Sequence, residues 1–284
     1  MIYNRKYGFK KAIGIPISFL IVICITLFFC SLYIRYLDNL EKENLQTYMY
    51  EITEKTATAF RNRIKCYIDS LETLAAVIGW SEIDENNTMT VLRKQLVTNQ
   101  FDRIGVIDPN GIGIGIDKNI DVLSGNFLHR NYFHDSLAGK IAIEAFKKDF
   151  KTNVPSFTIS VPIYADSDSA VHGILCGILC GIISEAELQK QVELPVFGGL
   201  ARFHIIDSNG NILILSKYAD TAGNPDNFLD NDFEQTYSYD AFLANLKAGK
   251  RGSFGFKLPG SAEQFVTYQP LAINDWFLIL VAPT

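Results

Sequence analysis

The feature that most constrains this chain is a repeat. Phe101-Asp-Arg103-Ile-Gly-Val-Ile-Asp108-Pro-Asn-Gly111 returns as Leu200-Ala-Arg202-Phe-His-Ile-Ile-Asp207-Ser-Asn-Gly210, 99 residues later and in the same register. Each copy reads as an apolar strand ending in Asp-x-Asn-Gly, a hairpin signal because Asn and Gly accept positive φ. A second strand is predicted after each turn, over Ile112–Asp117 and Asn211–Ser216. The parallel continues: a helix over 128–138, stopped by Gly139, matches one over 239–249. A strand over 156–163, alternating hydroxyl and apolar residues, matches Gln264–Pro270, and both end at Pro. His172–Ile183 matches Trp276–Ala282 as the closing strand. The economical fold is α+β, with two related lobes that each hold one antiparallel sheet and its helices. Ser184-Glu-Ala-Glu187 reads as a capping-box start for a helix between them, and Pro195–Gly199 as the linker.

Ahead of the repeat, Ala12–Ile34 is apolar and carries no charge. At 1.5 Å per residue it is about 34 Å long, enough to cross a bilayer. A cleaved signal peptide has an apolar core of about 7–15 residues. This run is longer, and it passes through Tyr33, Arg35 and Tyr36 into more helix, which marks a retained anchor. Pro16 near its start is tolerable in a membrane helix. Arg5, Lys6, Lys10 and Lys11 precede the run, which places residues 1–11 in the cytoplasm and everything after Arg35 outside. Between Tyr36 and Gly79 no Pro or Gly interrupts a stalk helix of about 65 Å. Leu45, Tyr48 and Ile52 begin an apolar stripe that slips phase through Ala59 and Phe60 and resumes at Ile64, Tyr67, Leu71, Leu74 and Ile78. Such a stripe packs on a body, on a partner copy, or on each in turn. The polar break Asp84–Thr88 precedes a second helix over 89–99, capped by Asn87 or Thr88.

Charge narrows the partners. The net charge is −5, and residues 1–34 carry +4 with no acid, so the other 250 carry −9. An acidic body speaks against nucleic acid, which needs a basic face. The five cysteines make no framework. Cys24 and Cys30 lie in the apolar run and Cys66 on the stalk. Cys176 and Cys180 share a strand face at about 13 Å, too far for a disulfide.

The candidate site is Phe127–Pro162. A short helix with Arg130, Tyr132 and Phe133 faces the strand that holds Thr158. Arg130 can fix an anion bidentately while the aromatics supply walls. The plainer alternative is a surface Arg covering the edge of the core with its stem.

These features together resemble the double Cache (dCache) sensor family of bacterial transmembrane receptors. The likeness rests on the anchor, the stalk helix, the two sheet lobes, Arg130-x-Tyr132-Phe133, the strand ending at Pro162 and the closing strand opened by Trp276. It implies two PAS-like lobes, a membrane-distal one over 81–190 that binds a small molecule and a membrane-proximal one over 200–284 that does not. It also implies a second span and a cytoplasmic output module after Thr284. In the amino-acid-binding subgroup the Arg holds a carboxylate and acids hold the ammonium. Here the aromatic due five residues before the Arg falls on Gly125, and the Asp due on the last strand falls on Gly181. No Tyr-x-Asp precedes strand 156–163, where Phe146 and Asp149 are the nearest candidates. With half the ammonium clamp missing, an anion such as a carboxylate fits better than an α-amino acid.

Other chemistries fare worse. Gly111-Ile-Gly113-Ile-Gly115 follows a hairpin turn and alternates as a strand does, unlike a phosphate loop. His129, His134, His172 and His204 are dispersed, so no metal site or cofactor is expected. The loop Tyr218–Tyr239 lacks regular calcium-ligand spacing. No hydrolase motif stands out. The expected function is a homodimeric extracytoplasmic sensor, not itself an enzyme, that moves its stalk helix on binding. The output favoured by analogy is a diguanylate cyclase of the GGDEF type, then a histidine kinase or chemotaxis transducer. A non-sensing dimerisation or interaction module is the alternative from another class.

Overall fold

The computed structural model describes residues 6–80, 85–98, 101–119, 122–149, 151–165, 173–193, 196–216, 226–230, 237–257 and 263–283. The fold is α+β, a long N-terminal helix followed by two antiparallel sheets. Helix α1 runs Lys6–Trp80. From Phe19 to Leu40 it exposes large apolar side chains, and this part is long and apolar enough to cross a membrane. Thr26 hides its hydroxyl there by donating to Val22 O at 2.8 Å.

Residues 50–283 form one compact unit. Within it α1 buries Thr53, Thr56, Phe60, Ile64, Tyr67, Leu71, Leu74 and Ile78. These follow one another by three or four residues, so the stripe keeps one phase and the expected slip does not occur. The slip was an effect of reading only apolar residues. Thr53 sits on the stripe because its hydroxyl meets Thr267 Oγ1 at 2.6 Å, which satisfies both in the core. Tyr48, assigned to the stripe, is exposed. Gly79 ends the stripe where a Cβ would collide with the carbonyl oxygen of Tyr164. Helix α2 spans Glu85–Thr98, so Asn87 and Thr88 lie inside it rather than at its cap.

The first sheet holds β1 (Arg103–Ile107), β2 (Ile112–Asp117), β3 (Val122–Asn126), β4 (Ala142–Phe146), β5 (Ser156–Ala165) and β6 (Ile174–Ser184), ordered β3-β2-β1-β6-β5-β4. The second holds β7 (Arg202–Ile206), β8 (Ile212–Ile214), β9 (Gly252–Lys257), β10 (Glu263–Pro270) and β11 (Phe277–Pro283), ordered β8-β7-β11-β10-β9. Helices α3 (Asn131–Leu137) and α5 (Tyr237–Lys247) accompany them in turn.

The repeat extends to single hydrogen bonds. Asp108 Oδ1 accepts from the N–H groups of Asn110 (3.0 Å) and Ile112 (2.8 Å), and Asp207 Oδ1 from those of Asn209 and Asn211, both at 2.9 Å. Gly111 and Gly210 take φ of 81° and 84°. Helices α3 and α5 end alike, with Gly139 and Gly249 at positive φ. Strand β5 does not stop at Pro162 but continues to Ala165. Pairing with β4 ends at Ser160, so at Pro162 the missing N–H has no partner to lose on that side.

Helix α4 (Glu185–Val192) follows Ser184 as expected, but the Ser184 side chain makes no cap bond. Asp102 Oδ2 takes the Ser184 N–H at 2.6 Å, which leaves Glu187 to pair with Lys190. Glu185 Oε1 accepts the Leu215 N–H at 3.0 Å, tying α4 to the second lobe. Phe157 and Trp276 meet edge to face across the lobes at 5.6 Å. Pro195, His172 and most of loop 218–239 lie outside the described residues.

The second lobe is filled by aromatics. Phe242 lies 4.7 Å from Phe254 and 4.8 Å from Tyr268, ring centre to ring centre. His204 is buried beside Phe228, and its Nδ1 accepts the Ser216 N–H at 3.2 Å. Burial, with Arg202 nearby, pushes its imidazole down to about 4. The unfolded chain, with a His near 6.5, therefore binds the proton first as pH falls. Stability is full above about pH 6.5 and is lost progressively towards pH 4, by at most about 3 kcal/mol. Thermal midpoints of the chain should fall across that window, and His204→Gln should flatten the fall. An unchanged profile in the variant would assign the titration to another group.

Candidate ligand-binding site

Strand parity decides which side chains face α3. Arg103, Gly105 and Ile107 of β1 stand opposite Asp117, Gly115 and Gly113 of β2, and opposite Ile182, Cys180 and Ile178 of β6. On that face lies a cavity of about 630 Å³, counting its open mouth. Its floor is low because Gly105 and Gly115 are cross-strand partners, with Cys180 the third small residue of the row. The alternating glycines of 111–115 therefore shape a pocket floor and send their isoleucines to the other side or the rim.

Helix α3 supplies the opposite wall. Ser136 Oγ meets Ser160 Oγ at 2.7 Å, and Ser160 Oγ also donates to Tyr132 O at 3.3 Å, which seats the helix on β5. Arg130 is the N-cap residue, and its side chain makes no cap bond. Glu144 of β4 does that work, accepting from the Tyr132 N–H at 3.3 Å and from Asn131 Nδ2 at 3.4 Å. Arg130 lines the cavity, with Cζ 5.0 Å from the centre of the Phe146 ring. Tyr132 stands edge-on to Phe146 at 6.2 Å, and burial pushes its phenol up, so it is a neutral hydroxyl here.

Of the residues expected at the site, Arg130, Tyr132, Phe146, Asp149 and Thr158 line this one cavity. Phe133 does not. It is fully buried in the core between α3 and the sheet, with Ile107, Ile178 and Cys180. Gly181 faces away from the cavity, under Phe101, so an acid there would not reach a ligand. The neighbours that do face in, Cys180 and Ile182, are not acidic. The missing aromatic at Gly125 is made good by Phe127, whose ring lines the cavity.

Arg103 is the residue that the sequence reading passed over. It is 4% exposed, lines the cavity and forms an ion pair with Asp149. The Asp149 carboxylate is crowded with donors. Its Oδ1 accepts from the N–H groups of Lys151 and Thr152, both at 2.9 Å, and from Thr152 Oγ1 at 3.1 Å. Its Oδ2 accepts from Arg103 Nη2 and from Ser156 Oγ. Burial acts to raise this carboxyl, but Arg103 and the two backbone donors outweigh it and hold the group below the usual range. Five donors meet about four lone-pair sites, so Asp149 cannot also clamp an ammonium group. The parity shared with Gly105 and Ile107, and the recurrence of the Arg at position 202, are the signals that mark Arg103 in sequence.

Among the described residues, the second lobe has the same plan with the matching space filled. At the repeat spacing Gly105 and Gly113 correspond to His204 and Ile212. Asn126-Phe127-Leu128 returns as Asn227-Phe228-Leu229 with matching bonds: Phe127 N–H to Gly111 O at 2.8 Å, and Phe228 N–H to Gly210 O at 2.7 Å. Phe228 is buried in the aromatic core, whereas Phe127 borders a void.

Paired sheet lobes on a long helix, with one open lobe, define a class of sensor-type domain. The sequence pattern of the Cache domain family matches residues 40–284, and the chain belongs to that family, in its double (dCache) form. Among solved structures it is similar to the ligand-binding domain of the Pseudomonas aeruginosa PAO1 amino-acid chemoreceptor PctC in complex with GABA. That match has 20% identity and a TM-score of 0.59, and covers 83% of this chain and 98% of that one. The ligand-binding domain of the Campylobacter jejuni chemoreceptor Tlp3 with 4-methylisoleucine is 14% identical, with a TM-score of 0.60, covering 82% and 88%. The extracellular domain of the proposed histidine kinase mmHK1S-Z2 is 16% identical, with a TM-score of 0.63, covering 82% and 95%. No curated protein matches the sequence.

The buried pair gives a stability test. Asp149→Ala leaves the Arg103 charge buried and should cost about 3–5 kcal/mol. The double variant Arg103→Met/Asp149→Leu removes both charges and should cost less than Asp149→Ala, the turn donors of 151 and 152 losing their acceptor in both. Urea unfolding of the three proteins checks both, and equal costs for the single and double variants would refute the pairing.

Proposed function

We propose that this chain is the extracytoplasmic small-molecule sensor region of a transmembrane signal-transduction receptor. Residues 12–34 are the single N-terminal span and 36–79 the stalk. Residues 81–190 form the membrane-distal ligand-binding lobe and 200–284 the membrane-proximal lobe, in a homodimer. The observation that carries this reading is the cavity itself, present in one repeat and filled by His204 and Phe228 in the other. Arg130 binds an anionic group of the ligand, Tyr132 and Thr158 offer hydroxyls, and Phe146 and Phe127 wall the apolar part. The PctC domain holds GABA and Tlp3 4-methylisoleucine. Here the donor-filled Asp149 disfavours such aminated ligands, and a carboxylate or other anion without an ammonium group fits better.

The relay runs through β4 and the residues that follow it. Phe146 and Lys148 line the cavity, while Lys147 between them pairs with Asp226 at 3.0 Å. Ile143 O accepts from Asn274 Nδ2 at 2.9 Å. The turn that carries Asn274 follows Pro270, and Arg61 of α1 reaches the Pro270 carbonyl at 3.5 Å. Movement of β4 on binding thus bears on the second lobe and on the stalk. The output is a cytoplasmic signalling module: a diguanylate cyclase in our reading, with a histidine kinase or chemotaxis transducer next.

The test is a thermal-shift screen of the detergent-solubilised chain against carboxylates, phosphates, amino acids, amines and purines, with Arg130→Ala alongside. A ligand at 100 times its dissociation constant adds about 2.7 kcal/mol, or several degrees at this size. A carboxylate or phosphate should give that shift and lose it in Arg130→Ala. A folded chain that no compound shifts would replace the sensor with an interaction module.

A further inference from the structure

We infer that the cavity takes a small organic dianion, of the dicarboxylate or phosphomonoester type, with Arg103 as a second anion anchor beside Arg130. This deepens the sensor reading and rests on it. The argument begins with charge. Arg103, Arg130 and Lys148 line the cavity, and among the described residues Asp149 is the one acid that lines it with them. The sum is +2. A ligand of charge −2 neutralises it, whereas a zwitterionic amino acid would bring a cation into a cationic wall.

Position sharpens the count. Arg130 lies over Phe146, Arg103 is bonded to Asp149, and Lys148 falls between those two partners. All three cations therefore gather at one wall, the stretch 146–149. The far end of the cavity, at Ile107, Gly113 and Phe127, carries no charge. The two anionic charges of the ligand lie at the 146–149 wall, on one phosphate group or on two carboxylates whose short carbon link rests over the glycine floor.

Asp149 is a positioning residue in this scheme. An arginine as buried as Arg103 needs a carboxylate to be tolerated. A carboxylate with spare acceptor capacity would attract ammonium groups, and here the 149–154 turn and Ser156 use that capacity up. The turn thus keeps the guanidinium in place without offering a cation site. Arg103 adds charge-assisted, directional donors to those of Arg130.

The experiment is calorimetric titration of the detergent-solubilised chain with succinate, glycerol 3-phosphate, butyrate and aspartate. Succinate or glycerol 3-phosphate should bind about tenfold or more tightly than butyrate, one charge-assisted bond's worth, and aspartate should bind more weakly than succinate. The better of the two dianions identifies the source of the charge. Arg103→Met/Asp149→Leu keeps the charge sum at +2 but removes the second anchor, so the ratio of dianion to butyrate affinity should fall several-fold. Equal binding of butyrate and dianions by the parent, or a dianion preference unchanged in the double variant, would overturn the inference and leave the sensor reading standing. So would binding confined to amines or purines. If nothing in this series or in the wider screen binds, the sensor reading fails and the inference with it.

Discussion

The structure depends on the need of two one-sided sheets for a common apolar surface. In each lobe one sheet face meets its own short helix, and the other has to be covered by something else. Helix α1 does this along a single stripe. Thr53 meets Thr267 of the second lobe and Tyr67 packs on Phe101 of the first, at 5.3 Å between ring centres. Because the stripe keeps one phase, neither lobe can shift on the helix without unpacking its own stretch. Helix α1 thereby joins the two lobes, and the Asn274 bond to Ile143 of β4 adds a second contact directly between them.

The two repeats share this plan, with six strands in the first sheet and five in the second. Both keep the Asp-x-Asn-Gly turn with its side-chain acceptor, the Asn-Phe-Leu corner and the Gly stop after the lobe helix. What differs is volume on the helix-facing side of the sheet. An imidazole at 204 and a buried phenylalanine at 228 fill the second lobe. Glycines at 105, 113 and 115 empty the first. A void lined by side chains forfeits the contacts that close packing would supply, so the first lobe gives up stability that the second keeps. That trade is expected of a site that has to admit something.

Much of this was legible in the sequence because it is local. Turns, helix stops and strand parity depend on neighbours, and the repeat doubled the signal for each. The failures have physical causes. The stripe on α1 was read as broken because threonines look polar, whereas the Thr53–Thr267 hydrogen bond makes their hydroxyls compatible with burial. The Ser184 cap was assigned to a local capping box, but a carboxylate 82 residues earlier in the chain supplies the acceptor. Phe133 belongs to the motif that the family resemblance places at the pocket, but adjacent residues on a helix point about 100° apart, and here it turns into the core.

Arg103 is the most instructive omission. A charged residue at the start of a strand reads as solvent-facing, and the partner that permits its burial is far off in the chain. Its burial is licensed by Asp149, 46 residues away, and Asp149 is held in turn by a tight turn and by Ser156. The same carboxylate looks, in sequence, like part of an ammonium clamp. Its saturation by its own chain reverses that reading, since an acid with every acceptor site filled stabilises its neighbours and recruits nothing. The character of the pocket is thus set less by which residues line it than by which of their hydrogen bonds are already made. Identical side chains with a looser turn would leave Asp149 able to accept from an ammonium group, whereas the turn as built fills its acceptor sites.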